Sequence, residues 1–514
     1  MNTKTVNATA DSAASGRQER GALYIGIDLG TSSVKLLLVA ADGTIRSEAA
    51  ADYPVSRPHD GWSEQNPADW VEGVFAGLEA LLRGADRQAV RGIAVAGQMH
   101  GLVAMDAAGQ VIRPAILWND GRTYEETAYL NETVGRDTLD RCTANIAFAG
   151  FTAPKLLWMR RHEPDAFSRI AKILLPKDYV VYALTGRFST DVSDASGTLL
   201  LDVKNRRWSA EMCRICGVDD SVLPPLHESG APVGRLKPEL CGRFGLSDVT
   251  VAAGAGDNAA AAVGTGTVGD GGCTVSLGTS GTVFVPSSRF FPSEGNALHA
   301  FCHADGGYHL MGCILSAAAC NQWWMDILAA ENFAAEQTGL DARRGRNAVF
   351  FLPYLTGERS PHNDVDARAA FVGLSADTDR RDMTLAVLEG VAFAMRDSVE
   401  AAVRGGAAFT DVTLCGGGAK SPLWRQIFAD VLNRDVVTVK TEQGPAYGAA
   451  MLAMVACGRF PDARAAAAAL VRTDSRVSPD PAAVRGYDAR YAVYRTLYPA
   501  LRAVYPELAA LRRA

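Results

Sequence analysis

The feature that most constrains this chain is a strand–turn–strand segment that occurs twice. Tyr24-Ile25-Gly26-Ile27-Asp28-Leu29-Gly30-Thr31-Ser32-Ser33-Val34-Lys35 stands near the start, and Thr274-Val275-Ser276-Leu277-Gly278-Thr279-Ser280-Gly281-Thr282-Val283 lies past the middle. Each copy is an apolar strand, a tight turn of Gly, Thr and Ser, and a second strand. Such a turn exposes backbone N–H groups and small hydroxyls, which can surround a phosphate with no bulky side chain in the way. Two copies predict two similar half-domains, each holding one end of a polyphosphate. Gly30, Thr31, Ser32 and Lys35 are the candidate ligands in the first copy, and Gly278, Thr279 and Ser280 in the second. The copies differ at one position that matters chemically: Asp28 in the first corresponds to Ser276 in the second. A carboxylate beside a triphosphate suits Mg²⁺, which prefers oxygen ligands, so Asp28 is the candidate metal ligand.

With 514 residues the chain can form two or more domains, each with its own core. A formal net charge of −6, without a concentrated basic stripe, argues against a nucleic-acid partner. No run of about 18 apolar residues occurs, so no membrane span is expected. Residues 1–22 are polar and lack an apolar core segment, and they read as a disordered tail, not a signal peptide. The ten cysteines are scattered, mostly in apolar contexts, which is the usage of a reducing compartment and predicts a cytoplasmic protein. Cys213 and Cys216 form a C-x-x-C with no second pair at zinc spacing, and they read as packing residues. His299, Cys302, His303 and His309 flank a Gly306-Gly307 turn and read as ordinary strand residues.

Strands alternate with helices along the chain, which predicts an α/β architecture. Asn66-Pro67 should open a helix whose apolar face is Trp70, Val74, Leu78, Leu81 and Leu82. Residues 380–403 carry Leu385, Leu388, Ala392, Met395 and Val399 at helical spacing. Tyr487, Tyr491, Tyr494 and Tyr498 are spaced as an aromatic packing seam on a C-terminal helix.

Four further motifs carry chemistry. Gly254-Ala255-Gly256-Asp257-Asn258 precedes an alanine-rich helix and comes just before the second phosphate turn. Asp257 is expected to cap that helix, which would lower its pKa, and also to accept a proton during phosphoryl transfer, where a weak, well-placed acceptor suffices. Gly97-Gln98-Met99-His100-Gly101 is a polar turn at the end of a strand, where α/β proteins bind ligands. Gln98 and His100 can hydrogen-bond hydroxyls, and Met99 can cover an apolar face of a sugar. Val412-Thr413-Leu414-Cys415-Gly416-Gly417-Gly418-Ala419-Lys420-Ser421 reads as strand, glycine loop and helix start. Its bare backbone at Gly417 and Gly418 would let a nucleotide lie flat, with Ser421 beside it. Thr441-Glu442-Gln443-Gly444-Pro445-Ala446-Tyr447-Gly448-Ala449-Ala450 opens a small-residue helix suited to close packing or to a hinge.

The order of these motifs resembles the actin-like ATPase superfamily in its FGGY carbohydrate-kinase branch. Further segments carry the resemblance: Trp62-Ser63-Glu64-Gln65, Ile116 to Arg122, Gly150 to Trp158, Leu174 to Tyr179, and Pro353 to Asn363. It runs from about residue 23 to about residue 500. Two departures are modest: Ser33 stands where many relatives have Gly, and the N-terminal tail lies outside the pattern. The resemblance implies an α/β fold of two ribonuclease-H-like domains flanking a catalytic cleft. The domains would be 23–266 and 267–500, followed by a C-terminal helix end at 501–514. It implies ATP-dependent, Mg²⁺-assisted phosphorylation of D-xylulose at O5. In those terms Asp257 would be the proton acceptor and Asp28 would assist at the metal and phosphates. Met99 and His100 would contact the sugar, with Gln98, Asp257 and Asn258 beside them, and Gly417-Gly418 would lie against the adenosine. A homodimer is left open. So are a different sugar or polyol kinase of the same fold and a non-catalytic nucleotide-dependent interaction protein, which the presence of Asp257 and the sugar-side motifs disfavours.

Overall fold

The computed structural model describes residues 21–441 and 443–513. Most of the N-terminal tail therefore lies outside the described residues. The chain forms two compact units. The first comprises residues up to Val268, with Phe301–Gly307 and Gln443–Val471; the second comprises Gly269–Ala300, Tyr308–Glu442 and Arg472–Ala514.

The first unit is built on a seven-stranded sheet. Its strands are β1 (Leu23–Leu29), β2 (Ser33–Ala40), β3 (Ile45–Asp52), β4 (Val90–Gly97), β5 (Pro232–Arg235) and β6 (Thr250–Ala252), with the short extension Ala255–Gly256. The order across the sheet is β5-β6-β4-β1-β2-β3. β1, β2 and β3 are antiparallel, whereas β4 runs parallel to β1 and β6 parallel to β4. Strand residues alternate between faces. Ile25, Ile27 and Leu29 of β1 enter a core with helix α1 (Pro67–Leu81) and helix α2 (Pro176–Thr185), while Tyr24 enters the opposite core. Asp28 shares the parity of Tyr24. On that side lie helix α3 (Asp257–Gly264) and the helix Gly444–Ala456.

The second unit repeats this plan. Its strands are β7 (Thr274–Leu277), β8 (Gly281–Ser287), β9 (Tyr308–Ile314), β10 (Asp411–Cys415), β11 (Asp435–Val439) and β12 (Thr473–Val477). These six of the seven strands in the sheet run in the order β12-β11-β10-β7-β8-β9. β7 to β9 are antiparallel, and β10 is parallel to β7 and β11 to β10. The same order and the same strand senses thus occur in both units, and the two phosphate turns occupy equivalent hairpins.

Local signals place several elements as the sequence predicts. Asn66 caps α1 by accepting from the Ala68 N–H at 3.2 Å, and the five apolar residues of its predicted face are all buried. Helix α4 (Arg380–Arg404) starts at an Asp379 cap. Helix α5 (Pro422–Leu432) starts at Ser421, whose hydroxyl accepts from the Trp424 N–H at 3.1 Å. Tyr487, Tyr491, Tyr494 and Tyr498 are all buried on helix α6 (Pro481–Leu501).

The helix Gly444–Ala456 packs within the first unit, against β1, β4 and α3, and small residues set its distance. A Cβ at Gly448 would stand 1.8 Å from the Ala260 carbonyl oxygen, and one at Gly26 would stand 1.9 Å from that of Ala446. Backbone meets backbone here, so nothing can rotate aside. Gly448→Ala is expected to lower the free energy of unfolding by about 1–3 kcal/mol, the usual cost of overpacking a close-packed contact. Urea denaturation measures it, and an unchanged midpoint would contradict this packing account.

Candidate active site

In the first unit, three strand ends bring the charged and sugar-side residues together. Asp28 lies opposite Ala96 in the parallel β1–β4 pair, and Ala255 and Gly256 pair with Ala96 and Gly97 on the other side of β4. Asp28 and Asp257 therefore flank the C-terminal end of β4, and the Gln98-Met99-His100 turn leaves the sheet between them.

Burial holds both carboxyls above the usual range. Asp28 is pushed up to about 7, by burial first and then by the negative charge of Asp257, against the attraction of Lys35. Asp257 is pushed up to about 6 by burial, opposed by hydrogen bonds from Asn258. This corrects the sequence expectation for Asp257. The helix cap is Gly256, and Asp257 is the first helical residue. Its pKa is raised, not lowered, because loss of water outweighs what the helix terminus supplies. Asn258 donates to Asp257 Oδ1 through its backbone N–H at 2.6 Å and its Nδ2 at 2.8 Å.

The first phosphate turn is held by its carbonyls. Tyr53 Oη donates to the Gly30 and Ser33 oxygens at 2.6 and 3.0 Å. Gln65 Nε2 donates to the Thr31 oxygen at 2.7 Å. Trp118 Nε1 donates to Thr31 Oγ1 at 3.0 Å. These bonds fix the turn without using the backbone N–H groups of Thr31 and Ser32. Lys35 lies opposite Asp28 in the hairpin, and its ammonium reaches Gln443 and, at 3.7 Å, Glu48.

The sugar-side turn is equally constrained. Gln98 is buried and donates to Gln65 Oε1 at 3.0 Å, while its own Oε1 has no hydrogen-bond partner. Met99 packs against Gly256. His100 adopts a left-handed backbone with φ 72°, rare for a residue with a side chain. Lys155 Nζ and Thr152 Oγ1 hold its carbonyl at 2.8 and 3.1 Å. Its ring stacks on Phe151 at 4.7 Å, and its Nδ1 meets the Gly197 carbonyl at 2.7 Å. A carbonyl only accepts, so Nδ1 donates in this contact.

Lys155 and Phe151 lie in the Gly150–Trp158 segment, where the sequence alone assigns them no role. The signal was a lysine inside an apolar run, Ala153-Pro154-Lys155-Leu156-Leu157-Trp158. Lys155 is fully buried, and burial holds its ammonium well below the usual lysine range, against the pull of Asp120.

Oxygen donors around Asp28 suit Mg²⁺. The carboxylate accepts no hydrogen bond from a described residue, carries an adjacent like charge, and has the Thr31 and Ser32 hydroxyls in the neighbouring turn. Among the described residues no group of three or more His, Cys, Asp or Glu could hold a metal. The fit is therefore to an ion that takes one carboxylate together with ligand and water oxygens, which is the usual Mg²⁺ arrangement at phosphates.

The second unit contains a cavity of about 800 Å³ lined by Thr279, Gln337, Gly417, Gly418, Ser421 and Trp424 among others. It joins the second phosphate turn to the glycine loop after β10. Its size is that of a small-molecule pocket. The Gly278 carbonyl accepts from the Ala318 N–H and the Thr279 carbonyl from the Ala317 N–H, both at 2.9 Å, and Ser280 Oγ donates to the Leu315 oxygen at 3.1 Å. Gly278 and Ser280 thus shape the turn, while Thr279 faces the cavity. The Ser421 hydroxyl is committed to Trp424 N–H and to Gln337.

Known proteins share this plan. Residues 23–264 match the N-terminal domain of the FGGY family of carbohydrate kinases, and residues 273–457 match its C-terminal domain. The chain is 41% identical to the xylulose kinase of Escherichia coli (strain K12), covering 93% of this chain and 98% of that one. A xylulose kinase from Brucella ovis has a crystal structure with a TM-score of 0.89 and 42% identity, covering 94% of this chain and all of that one. A xylulose kinase from Rhodospirillum rubrum has a TM-score of 0.86 at 30% identity, over 94% and 99% of the two chains. The chain belongs to the FGGY family of carbohydrate kinases, enzymes that phosphorylate sugars with ATP.

Gly417 lines the cavity, and a Cβ there would meet nothing within 4 Å. Gly417→Val is therefore expected to leave thermal stability unchanged while filling space in the cavity, weakening ATP about tenfold or more, a loss of about 1.4 kcal/mol. Calorimetric titration with a non-hydrolysable ATP analogue measures this, and unaltered affinity would show that the nucleotide does not use this cavity.

Proposed function

We infer that the protein is a D-xylulose kinase, forming D-xylulose 5-phosphate and ADP from D-xylulose and ATP in D-xylose catabolism. The observation that carries the choice of sugar is the 41% identity to the Escherichia coli xylulose kinase over nearly the whole of both chains. The site chemistry agrees with it. Asp257 is the acceptor for the proton of the attacking O5 hydroxyl. A carboxylate near 6 is ionised at neutral pH yet basic enough to take that proton as the new O–P bond forms. Asn258 holds one of its oxygens and so fixes which way the other points.

His100 and Gln98 hydrogen-bond sugar hydroxyls, Gln98 through its unpaired Oε1, and Met99 covers an apolar face of the sugar. Asp28 would hold Mg²⁺, which neutralises phosphate charge when it is bound with the nucleotide. The N–H groups and hydroxyls of Thr31 and Ser32 in the turn that Gly30 opens, with Lys35, serve the phosphates, as do Thr279 and its neighbours Gly278 and Ser280. Gly417, Gly418 and Ser421 bound the adenosine cavity. None of the ten cysteines, all among the described residues, is in a disulfide, and most are buried, which supports a cytoplasmic location.

Asp257→Asn is expected to keep the fold and lower kcat by about 10²–10⁴, the usual loss on removing a general base. In the wild type, kcat/KM for D-xylulose should rise with pH through about 6 and level off above it, because the base acts only when ionised. A coupled ADP-release assay measures both. The substrate is tested by running D-xylulose, L-ribulose, D-ribulose, glycerol and gluconate in that assay. A profile flat down to pH 5 would remove Asp257 from the base role, and a higher kcat/KM for another sugar would overturn the substrate.

A further inference from the structure

Beneath the sugar-side turn lies an ionic cluster with no solvent contact. Lys177, the second residue of α2, and the carboxylates of Asp178, Asp191 and Asp194 are all buried. Lys177 Nζ lies 2.6 Å from Asp178 Oδ1, 2.9 Å from Asp191 Oδ1 and 3.8 Å from Asp194 Oδ2, and it also donates to the Ala253 carbonyl at 3.3 Å. Buried charge this dense is retained only where its geometry is closely satisfied, since each ion has lost its water. Burial alone would pull the lysine down, but the three carboxylates hold it above its usual range. Burial pushes Asp194 well above the carboxylate range, against the attraction of Lys177 and with the charges of Asp178, Asp191 and Asp257 adding to it. The cluster therefore has one strong cation at its centre.

That cation touches each segment that shapes the sugar-side site. A Cβ at Gly97 would stand 2.9 Å from Lys177 Cβ, so the turn that carries Met99 and His100 begins directly on the lysine. The Ala253 carbonyl belongs to the link between β6 and the Ala255–Gly256 extension that leads into Asp257. Asp191 passes the contact onward: its Oδ2 accepts from the Ser193 hydroxyl and from Ser229 Oγ at 2.7 Å. Ser193 Oγ in turn accepts from the Gly256 N–H at 3.1 Å. Gly256 is the cap of the helix that starts with Asp257.

We propose that Lys177, Asp191 and Ser193 form a positioning relay that fixes the backbone of Gly256 and thereby aims the Asp257 carboxylate at the sugar hydroxyl. The inference rests on Asp257 being the proton acceptor. None of the three relay residues touches the reacting atoms. Lys177 sets where the 253–257 segment and the Gly97 turn stand, Asp191 orients the serine hydroxyl, and Ser193 fixes the one N–H that precedes the base.

Lys177→Met would strand buried carboxylates and is expected to unfold the unit, so the relay is better cut at Ser193. Ser193→Ala removes a neutral link, and Ser229→Ala removes the other hydroxyl from the same Asp191 oxygen without reaching Gly256. Both should lower the melting temperature by similar amounts. Ser193→Ala should lower kcat about tenfold, with KM for D-xylulose and ATP within about twofold, since small misplacement of a reacting group costs rate more than binding. Ser229→Ala should keep kcat within about twofold. Added to Asp257→Asn, Ser193→Ala should change the residual kcat by less than about twofold, because a relay that acts through the carboxylate has nothing left to aim. Equal kcat for the two serine variants, or a full additional loss in the Asp257→Asn background, overturns the relay. Undiminished activity of Asp257→Asn alone would instead overturn the assignment of the base.

Discussion

The structure depends on holding two half-buried carboxylates at the end of one parallel strand. Asp28 and Asp257 flank β4 because β1 and the Ala255–Gly256 extension pair on either side of it in fixed register. A slip of one residue would turn Asp28 toward the α1 core and break the arrangement. Burial then sets the chemistry, raising Asp28 to about 7 and Asp257 to about 6. The helix Gly444–Ala456 packs on the face that Asp28 shares, and it comes as close as glycine and alanine permit. Sheet register and helix packing thus act directly on the acid–base properties of the site.

The two units share a sheet order and the phosphate hairpin, yet they serve different ends. The first concentrates charge: Asp28, Asp257, the Lys177 cluster and the clamped His100. The second has Ser276 where the first has Asp28, and offers a cavity of about 800 Å³ beside Thr279 and the glycine loop. Under the proposed function, the two similar scaffolds divide the work, with polar recognition and proton transfer assigned to the first unit and nucleotide binding to the second.

Much of this was legible in the sequence because the signals are local. The doubled hairpin, the Asn66-Pro67 and Ser421-Pro422 helix starts, the long helix near residue 380 and the tyrosine seam each depend on neighbours within a few turns of chain. The set Gly97–Gly101, Asp257 and Gly417–Gly418 was legible as candidate chemistry for the same reason. The environment of those residues was not. Asp257 was expected as a cap with a lowered pKa, and the structure gives a first-turn residue with a raised one, because desolvation arises from segments far apart in sequence. Lys155 and Lys177 fall in the Gly150–Trp158 and Leu174–Tyr179 segments with no role assigned to either, and only the fold shows that one clamps the His100 carbonyl and the other binds three carboxylates. The return of residues 443–471 to the first unit follows from close contacts at Gly26 and Gly448, which no local pattern specifies.

The most direct test of this account is the titration of Asp257 itself in the ligand-free protein. Infrared difference spectra of the wild type against Asp257→Asn, with carboxyl bands followed from pH 4 to pH 8 and Asp28→Asn as the reference background so that the coupled Asp28 does not contribute, report that group. The account predicts a carboxyl band lost with a midpoint near pH 6 and absent from the variant. A group already fully ionised at pH 5, as an ordinary aspartate with a pKa of about 3.9 would be, would contradict it.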